Sequence, residues 1–293
     1  MQSLYDIPAP AKLNLFLHIT GRRADGYHLL QSVFMLIDWC DTLHFDIRAD
    51  GQISREDLTW ALPADDLVVR AARALQLATG CTLGAHIGIA KSVPAQAGMG
   101  GGSSDAASTL LALNRLWKLH LPVETLSAIG LALGADVPFF LCGKHAWVEG
   151  IGEKITPLDL PPARFVVVKP DAGLQTQLIF SDPTLKRDSE TAIISGFAAN
   201  TAERIFKYGR NDLQAVAQRL CPGVTQALEW LESQGLSGRM TGSGSAVFAQ
   251  LLHGMDEKID RHSAPDAQQV RLCSNMDVHP LVGWAPSDGL KKV

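Results

Sequence analysis

Pro94-Ala95-Gln96-Ala97-Gly98-Met99-Gly100-Gly101-Gly102-Ser103-Ser104-Asp105 is the stretch on which the reading of this chain turns. Four glycines fall within five residues, and glycine loses more backbone freedom on folding than any other residue. Such a run is kept where the backbone must take φ > 0, or where a partner comes too close for any Cβ. Asp105-Ala106-Ala107-Ser108-Thr109-Leu110-Leu111-Ala112-Leu113 follows and reads as a helix, so the glycines sit at a helix N-terminus. Free N–H groups and the positive end of the helix dipole make an anion site there, most often for phosphate. A merely flexible loop would mix glycine with charged and polar residues, whereas this one holds only Gln96 before Ser103.

The chain around this loop reads as a folded, mixed α/β protein without repeats. Its 293 residues, 46% hydrophobic and 19% charged, are enough for one large domain or two ordinary ones with a sizeable core. A net charge of −4 speaks against a nucleic-acid binder, which would carry a basic face. No apolar run reaches the roughly 18 residues of a membrane span, and Met1 to Pro10 lacks a basic-then-apolar signal. The five cysteines are scattered without a Cys-x-x-Cys pair, as expected for buried thiols of a reducing compartment. These features predict a cytoplasmic protein.

Ala11, Leu13, Leu15, Leu17 and Ile19 alternate with Lys12, Asn14, Phe16, His18 and Thr20, the period of a half-buried strand. Asp25-Gly26 marks a turn, and Val33 to Ile37 and Thr42 to Ile47 read as two further strands. Asp66 is placed to cap a helix that stops at Gly80, and Leu83 to Ile89 alternate again into the glycine loop. Pro122 to Leu133 reads as another helix, followed by Asp136 and Val137-Pro138-Phe139-Phe140. Pro161-Pro162 precedes the apolar run Phe165 to Val168 and is the best candidate boundary, dividing the chain into 1–160 and 161–293.

The loop fits none of three familiar phosphate cradles. A P-loop needs Lys then Ser or Thr after its last glycine, and here Gly102 is followed by Ser103-Ser104. The dinucleotide fingerprint needs a third glycine where Ser103 stands, and the His-Arg-Asp and Asp-Phe-Gly of protein kinases are missing. If the loop serves phosphoryl transfer, lysine and acid come from elsewhere. Lys12 and Asn14, two apart on one strand, share a face. Asp136 lies between an apolar helix and an apolar run, near buried surface. Taken singly, Lys12 reads as a solvated charge and Asp136 as a turn or capping residue. A carboxylate beside a lysine in a semi-buried site would instead stay ionised, ready to accept a hydroxyl proton.

Pro10-Ala11-Lys12-Leu13-Asn14-Leu15, Gly98-Met99-Gly100-Gly101-Gly102-Ser103-Ser104 and Thr241-Gly242-Ser243-Gly244-Ser245 resemble the three motifs of the GHMP kinase superfamily. The first of these, with Arg23-Ala24-Asp25-Gly26-Tyr27-His28 and Leu133-Gly134-Ala135-Asp136-Val137-Pro138-Phe139, is similar to one branch of it. The acceptor of that branch is a cytidyl diphosphate sugar-alcohol. The resemblance runs from about residue 8 to about residue 250, and it implies an α+β fold. An N-terminal domain like the second domain of ribosomal protein S5 would precede a ferredoxin-like C-terminal domain, with the active site in the cleft between them.

By the same resemblance, Asp136 is the catalytic base and Lys12 orients it and offsets charge on the transferred phosphoryl. Pro94, Ala95, Gln96, Ala97, Gly98, Met99, Gly100, Gly101, Gly102, Ser103 and Ser104 would hold ATP, with a hydroxyl of Ser103 or Ser104 near Mg²⁺. Asn14, Tyr27, His28 and Phe180 match positions that bind the cytidyl substrate, Tyr27 and Phe180 by stacking and His28 by reading a polar edge. Thr241 and Gly242 join the substrate side, and Gly242 and Gly244 would let the third motif approach closely. Ala95-Gln96-Ala97 departs from the more glycine-rich start common in the superfamily, so ATP affinity could differ. No glutamate stands out for Mg²⁺, and the metal ligands stay open. The implied partners are ATP and one small molecule, with the chain a monomer or homodimer. Two alternatives stay open: a kinase for another acceptor, disfavoured by Asp25 to His28, and a nucleotide-binding regulator, disfavoured by Lys12 and Asp136.

Overall fold

The computed structural model describes residues 2–252, 254–265 and 268–287. Its first half is built on a long hairpin of β1 (Ser3–Arg22) and β2 (His28–Arg48), joined by the turn at Asp25-Gly26. β3 (Ile53–Asp57), β4 (Gly84–Ala90), β5 (Ala146–Gly150) and β6 (Lys154–Pro157) complete a sheet in the order β3-β4-β2-β5-β6, with β1 on β2. Helices α1 (Leu67–Thr79), α2 (Gly101–Leu116), α3 (Val123–Leu131) and α4 (Val137–Cys142) supply the rest of its core. Asp66 caps α1 as its sequence position predicts, accepting from the Val69 N–H at 3.1 Å, and Gly80 ends it in the left-handed region.

The second sheet contains β7 (Arg164–Lys169), β8 (Arg239–Met240), β9 (Val247–Leu251) and β10 (Gln269–Ser274). Its order is β10-β7-β9-β8, antiparallel throughout. With its first and third strands side by side in the middle, this is the order of a ferredoxin-like βαββαβ unit. α5 (Thr176–Ser181), α6 (Ile194–Ala198), α7 (Ala202–Ile205), α8 (Gln214–Leu220) and α9 (Pro222–Ser233) fill its first crossover, and two 3₁₀ turns stand in the second.

Two strand expectations change. β1 is buried on both faces from Ala9 to Leu17, because it lies where the two halves meet. Ala11, Leu13 and Leu15 pack in one cluster with Phe165, Val167 and Phe248 of the second sheet. Lys12 and Asn14, on the opposite face, are covered by the glycine loop, whose Met99 carbonyl accepts from the Lys12 N–H at 2.9 Å. The two strands expected at Val33–Ile37 and Thr42–Ile47 are one, because nothing in Asp38-Trp39-Cys40-Asp41 breaks an extended chain. A register shift between Pro10 and Lys12 keeps that strand paired with β1. Beyond β10 the chain returns to the first half: the Met276 N–H bonds to the Leu36 carbonyl at 3.1 Å, and Leu281 and Ala285 enter the first core. Of the five cysteines only Cys221 and Cys273 are fully buried, and all five are free thiols.

Candidate active site

α2 begins at Gly101, so the last two glycines form its first turn and Gly100 is its N-cap, at φ +71°. The Ser104 N–H already bonds to the Gly100 carbonyl at 2.9 Å, leaving the N–H groups of Gly101, Gly102 and Ser103 without helical partners. Two glycines are required by contact. A Cβ on Gly98 would strike the Thr241 carbonyl and sit 2.8 Å from the Gly244 nitrogen. A Cβ on Gly100 would lie 3.0 Å from the Phe140 ring and 3.3 Å from Lys12 Cε. The second and third motifs are therefore in backbone contact. Ser245 and Ala246 donate to the Gln96 and Ala97 carbonyls at 3.0 and 3.2 Å, so the atypical Ala95-Gln96-Ala97 start is held by pairing.

Lys12 lines this cradle, as Lys91 does beside the start of α2. The Lys12 Nζ is 3.6 Å from Asp136 Oδ2, donates to Asn14 Oδ1, and lies 4.6 Å from the centre of the Phe34 ring. Burial pushes the Lys12 ammonium below its usual value, with Asp136 acting against that shift. Asp136 ends the turn before α4 and keeps its side chain 30% exposed, whereas that of Lys12, on the same cleft, is 4% exposed. Asn14 is fully engaged: its Nδ2 donates to Ser32 Oγ at 2.9 Å, and its backbone N–H to Thr241 Oγ1 at 2.9 Å. Thr241 is itself buried.

A cleft of about 770 Å³ joins these groups, and such a volume suits a nucleotide with part of an acceptor. Lys12, Asn14, Pro94 to Ser103, Asp136, Phe180 and Gly242 line it, as do Leu62, Asp66 and Arg70 around the start of α1. Ser104 and Thr241 lie beneath its surface, and Tyr27 and His28 lie outside its lining. His28 reaches the cleft wall through Phe180, whose ring centre is 5.0 Å away. Tyr27 is 61% exposed, which excludes core packing, and makes no ring contact with Phe180 among the described residues.

The donor set suits nucleotide phosphates: three N–H groups of the first turn without helical partners, a cradle that a Cβ would fill, and the Lys12 ammonium beside it. For a divalent cation, the Ser103 hydroxyl lines the cleft and Ser104 Oγ is buried without a partner among the described residues. Among the described residues no three His, Cys, Asp or Glu side chains cluster as a metal site.

The profile of the GHMP kinases N terminal domain matches residues 66–144, and that of the GHMP kinases C terminal domain matches 190–276. The 4-diphosphocytidyl-2-C-methyl-D-erythritol kinase of Albidiferax ferrireducens is 75% identical over 290 residues, 99% of this chain and 98% of its own length. The chain belongs to this family, within the GHMP kinases. A crystal structure of 4-(cytidine 5'-diphospho)-2C-methyl-D-erythritol kinase is 30% identical with a TM-score of 0.76, over 93% of this chain and 98% of that one. Homoserine kinase from Cytophaga hutchinsonii shares the fold at a TM-score of 0.68 and 15% identity, over 95% of this chain and 96% of that one. The α+β GHMP kinase fold and ATP use follow from the family.

Beside the GHMP kinase motifs stand charged groups that carry no motif. Lys91 Nζ bonds to Asp41 Oδ2 and, at 2.5 Å, to Asp105 Oδ2, all three buried under the start of α2. Asp105, a carboxylate on the buried face of a helix, is the one signal that could have found this cluster. Arg187 donates from Nε to His28 Nε2 at 3.0 Å across 159 residues of chain, which no local pattern announces.

Proposed function

We propose that this chain transfers the γ-phosphoryl of ATP to the 2-hydroxyl of 4-diphosphocytidyl-2-C-methyl-D-erythritol, a step of the methylerythritol phosphate route to isoprenoid precursors. The observation that carries the mechanism is the Lys12–Asp136 pair, 3.6 Å apart at the mouth of a helix-capped glycine cradle. Asp136 takes the proton of the 2-hydroxyl as that oxygen bonds to the γ-phosphorus. The bond from that phosphorus to the β–γ bridging oxygen breaks, and ADP leaves with the electron pair. Lys12 holds the Asp136 carboxylate in place and offsets negative charge gathering on the transferred group. Asn14 acts from behind, accepting from Lys12 and so aiming its ammonium.

The N–H groups of Gly101, Gly102 and Ser103 bind phosphate oxygens, and the third motif holds the cradle from below. Mg²⁺, when bound beside Ser103 or Ser104, neutralises phosphate charge. Tyr27, His28 and Phe180 bind the cytidyl end, so residues 1–160 supply donor and base, and 161–293 supply one wall of the acceptor site. We place the enzyme in the cytoplasm, where ATP and a small-molecule acceptor meet.

The test is acceptor-dependent ADP release with the cytidyl substrate set against mevalonate and homoserine, and the product's phosphate position read by ³¹P NMR. Phosphorylation at the 2-position, lost in Asp136→Ala, is the expected result. ADP release with another acceptor alone overturns the substrate assignment, and ATP binding without any acceptor-dependent release overturns the kinase reading.

A further inference from the structure

Arg187 lies outside the three motifs and outside the cleft, yet it ties together two residues of the acceptor wall. Its Nη2 donates to the Phe180 and Asp182 carbonyls at 3.1 and 2.8 Å, and its Nη1 to the Leu185 carbonyl at 3.0 Å. Its remaining direction, Nε–H, points at His28 Nε2 at 3.0 Å. A guanidinium donates only and stays charged at any working pH. The ring nitrogen it meets must therefore present a lone pair. In a neutral imidazole the proton then sits on the other nitrogen, and the bond made by one ring nitrogen decides what the other can offer. His28 Nδ1 has no hydrogen-bond partner among the described residues.

The surrounding charges agree. Partial burial, then Arg187 and then Arg22, hold the His28 ring below the usual histidine value, so it stays neutral near neutral pH. Arg22 itself is tied to the Gly26 carbonyl at 3.1 Å, and the neighbouring Asp25 pairs with Arg23 at 2.7 Å. Asp182, whose carbonyl receives Arg187, spends its carboxylate on Arg219 and Thr184. No carboxylate is paired with the His28 ring among the described residues.

We propose that Arg187 is a positioning residue of the acceptor site, which fixes His28 as the Nδ1–H tautomer and, through the Phe180 carbonyl, seats the aromatic ring beside it. This rests on the reading that the acceptor's base binds at Tyr27, His28 and Phe180. A ring that offers Nδ1–H and no lone pair matches the ring nitrogen N3 of cytosine, which accepts. It opposes uracil, whose N3 carries a hydrogen. Arg187 then sets base specificity without touching the substrate.

The experiment uses full-length wild type, Arg187→Met, His28→Gln and the double variant. Two-bond ¹H–¹⁵N spectra of ¹⁵N-histidine protein report the His28 tautomer without any ligand or turnover. Wild type should show Nδ1–H, and Arg187→Met should shift His28 to the Nε2–H form. Steady-state kinetics should show the acceptor KM rising about tenfold or more on loss of this charged hydrogen bond, with kcat and the ATP KM nearly unchanged. The preference for a cytidyl over a uridyl acceptor should narrow together with it. Adding Arg187→Met to His28→Gln should leave the cytidyl-over-uridyl preference where His28→Gln alone puts it, because that preference runs through the His28 ring. An Nε2–H ring in wild type, an unchanged tautomer in Arg187→Met, or a further loss of base preference in the double variant would each overturn the proposal. If wild type fails to phosphorylate any cytidyl acceptor, the acceptor reading falls, while the spectra still decide whether Arg187 sets the ring.

Discussion

Two lysines face aspartates within a few residues of the same glycine loop, and water separates their fates. Lys12 has one aspartate, Asp136, at 3.6 Å, and that carboxylate is 30% exposed. Lys91 has two, Asp41 and Asp105, both sealed from solvent. Burial works against the charge on each ammonium. At Lys12 it prevails over the single longer pair and pushes the group down, whereas at Lys91 Asp105 and Asp41 together outweigh it and push the group up. Asp105 in turn is held far above the carboxylate range, at about 8, by burial and by the Asp41 charge, against the pull of Lys91. The sealed cluster thus balances one ammonium with one carboxylate and keeps a proton on the other. The same residue types make a reactive pair where one carboxylate is 30% exposed, and a fastening between β2, the end of β4 and α2 where no partner exceeds 8%.

The sharpest separation between the two is expected at Asp136. Asp136→Ala should lower kcat by roughly 10³-fold, within the range for a lost general base, while calorimetry shows ATP affinity nearly unchanged. Near-normal turnover would put both lysine sites in the structural class. Lys91→Met should act on the other axis, costing on the order of 3 kcal/mol because two buried carboxylates lose their counter-charge. A thermal melt should then shift by roughly 6–12 °C, whereas Lys12→Met, on the half-open pair, should shift it far less and depress kcat instead.

Within the sealed cluster, Asp105→Asn replaces the proton-carrying acid with a neutral isostere. Because its folded pKa is about 8 and thus above the unfolded value, the acid's contribution is present at low pH and is lost as pH rises through about 8. Between pH 6.5 and 8 wild type should therefore lose about 1–2 kcal/mol relative to Asp105→Asn, measured by denaturant titration at several pH values. Parallel curves would mean that Asp105 carries no proton in the folded protein over this range. The smallest effect is expected at Tyr27, whose ring is 61% exposed. Tyr27→Ala should raise the KM for the cytidyl substrate about three- to tenfold and leave that for ATP alone, the scale of one aromatic contact. Equal changes in both constants would remove Tyr27 from the acceptor side.

What was legible along the chain was whatever is decided by neighbours in sequence. The glycine loop ahead of α2, the Asp66 cap with its Gly80 stop, and the strand period through Lys12 and Asn14 all rest on contacts a few residues long. The order of motifs also carried Lys12 and Asp136 together, because a kinase needs both around one cradle. The charged groups without a motif were not legible. Lys91 at the end of a strand looks like any surface lysine, since Asp41, which buries it, lies 50 residues away. The bonds of Asn14 to Ser32, Thr241 and Lys12 were not legible either, since Ser32 and Thr241 lie far from it in the chain.

The sequence by itself determined a helix-capped phosphate cradle, a lysine and an acid to work with it, and a family of reactions. Those follow from backbone geometry and residue chemistry that hold wherever such a run of residues occurs. Only the tertiary structure decided which charges meet water. β1 is covered on both faces because two sheets meet over it, which buries Lys12 but leaves Asp136 open, and the helix-α2 start seals Lys91 with its two acids. The energy of a charge depends on the dielectric around it, and that is set by groups far apart in the chain.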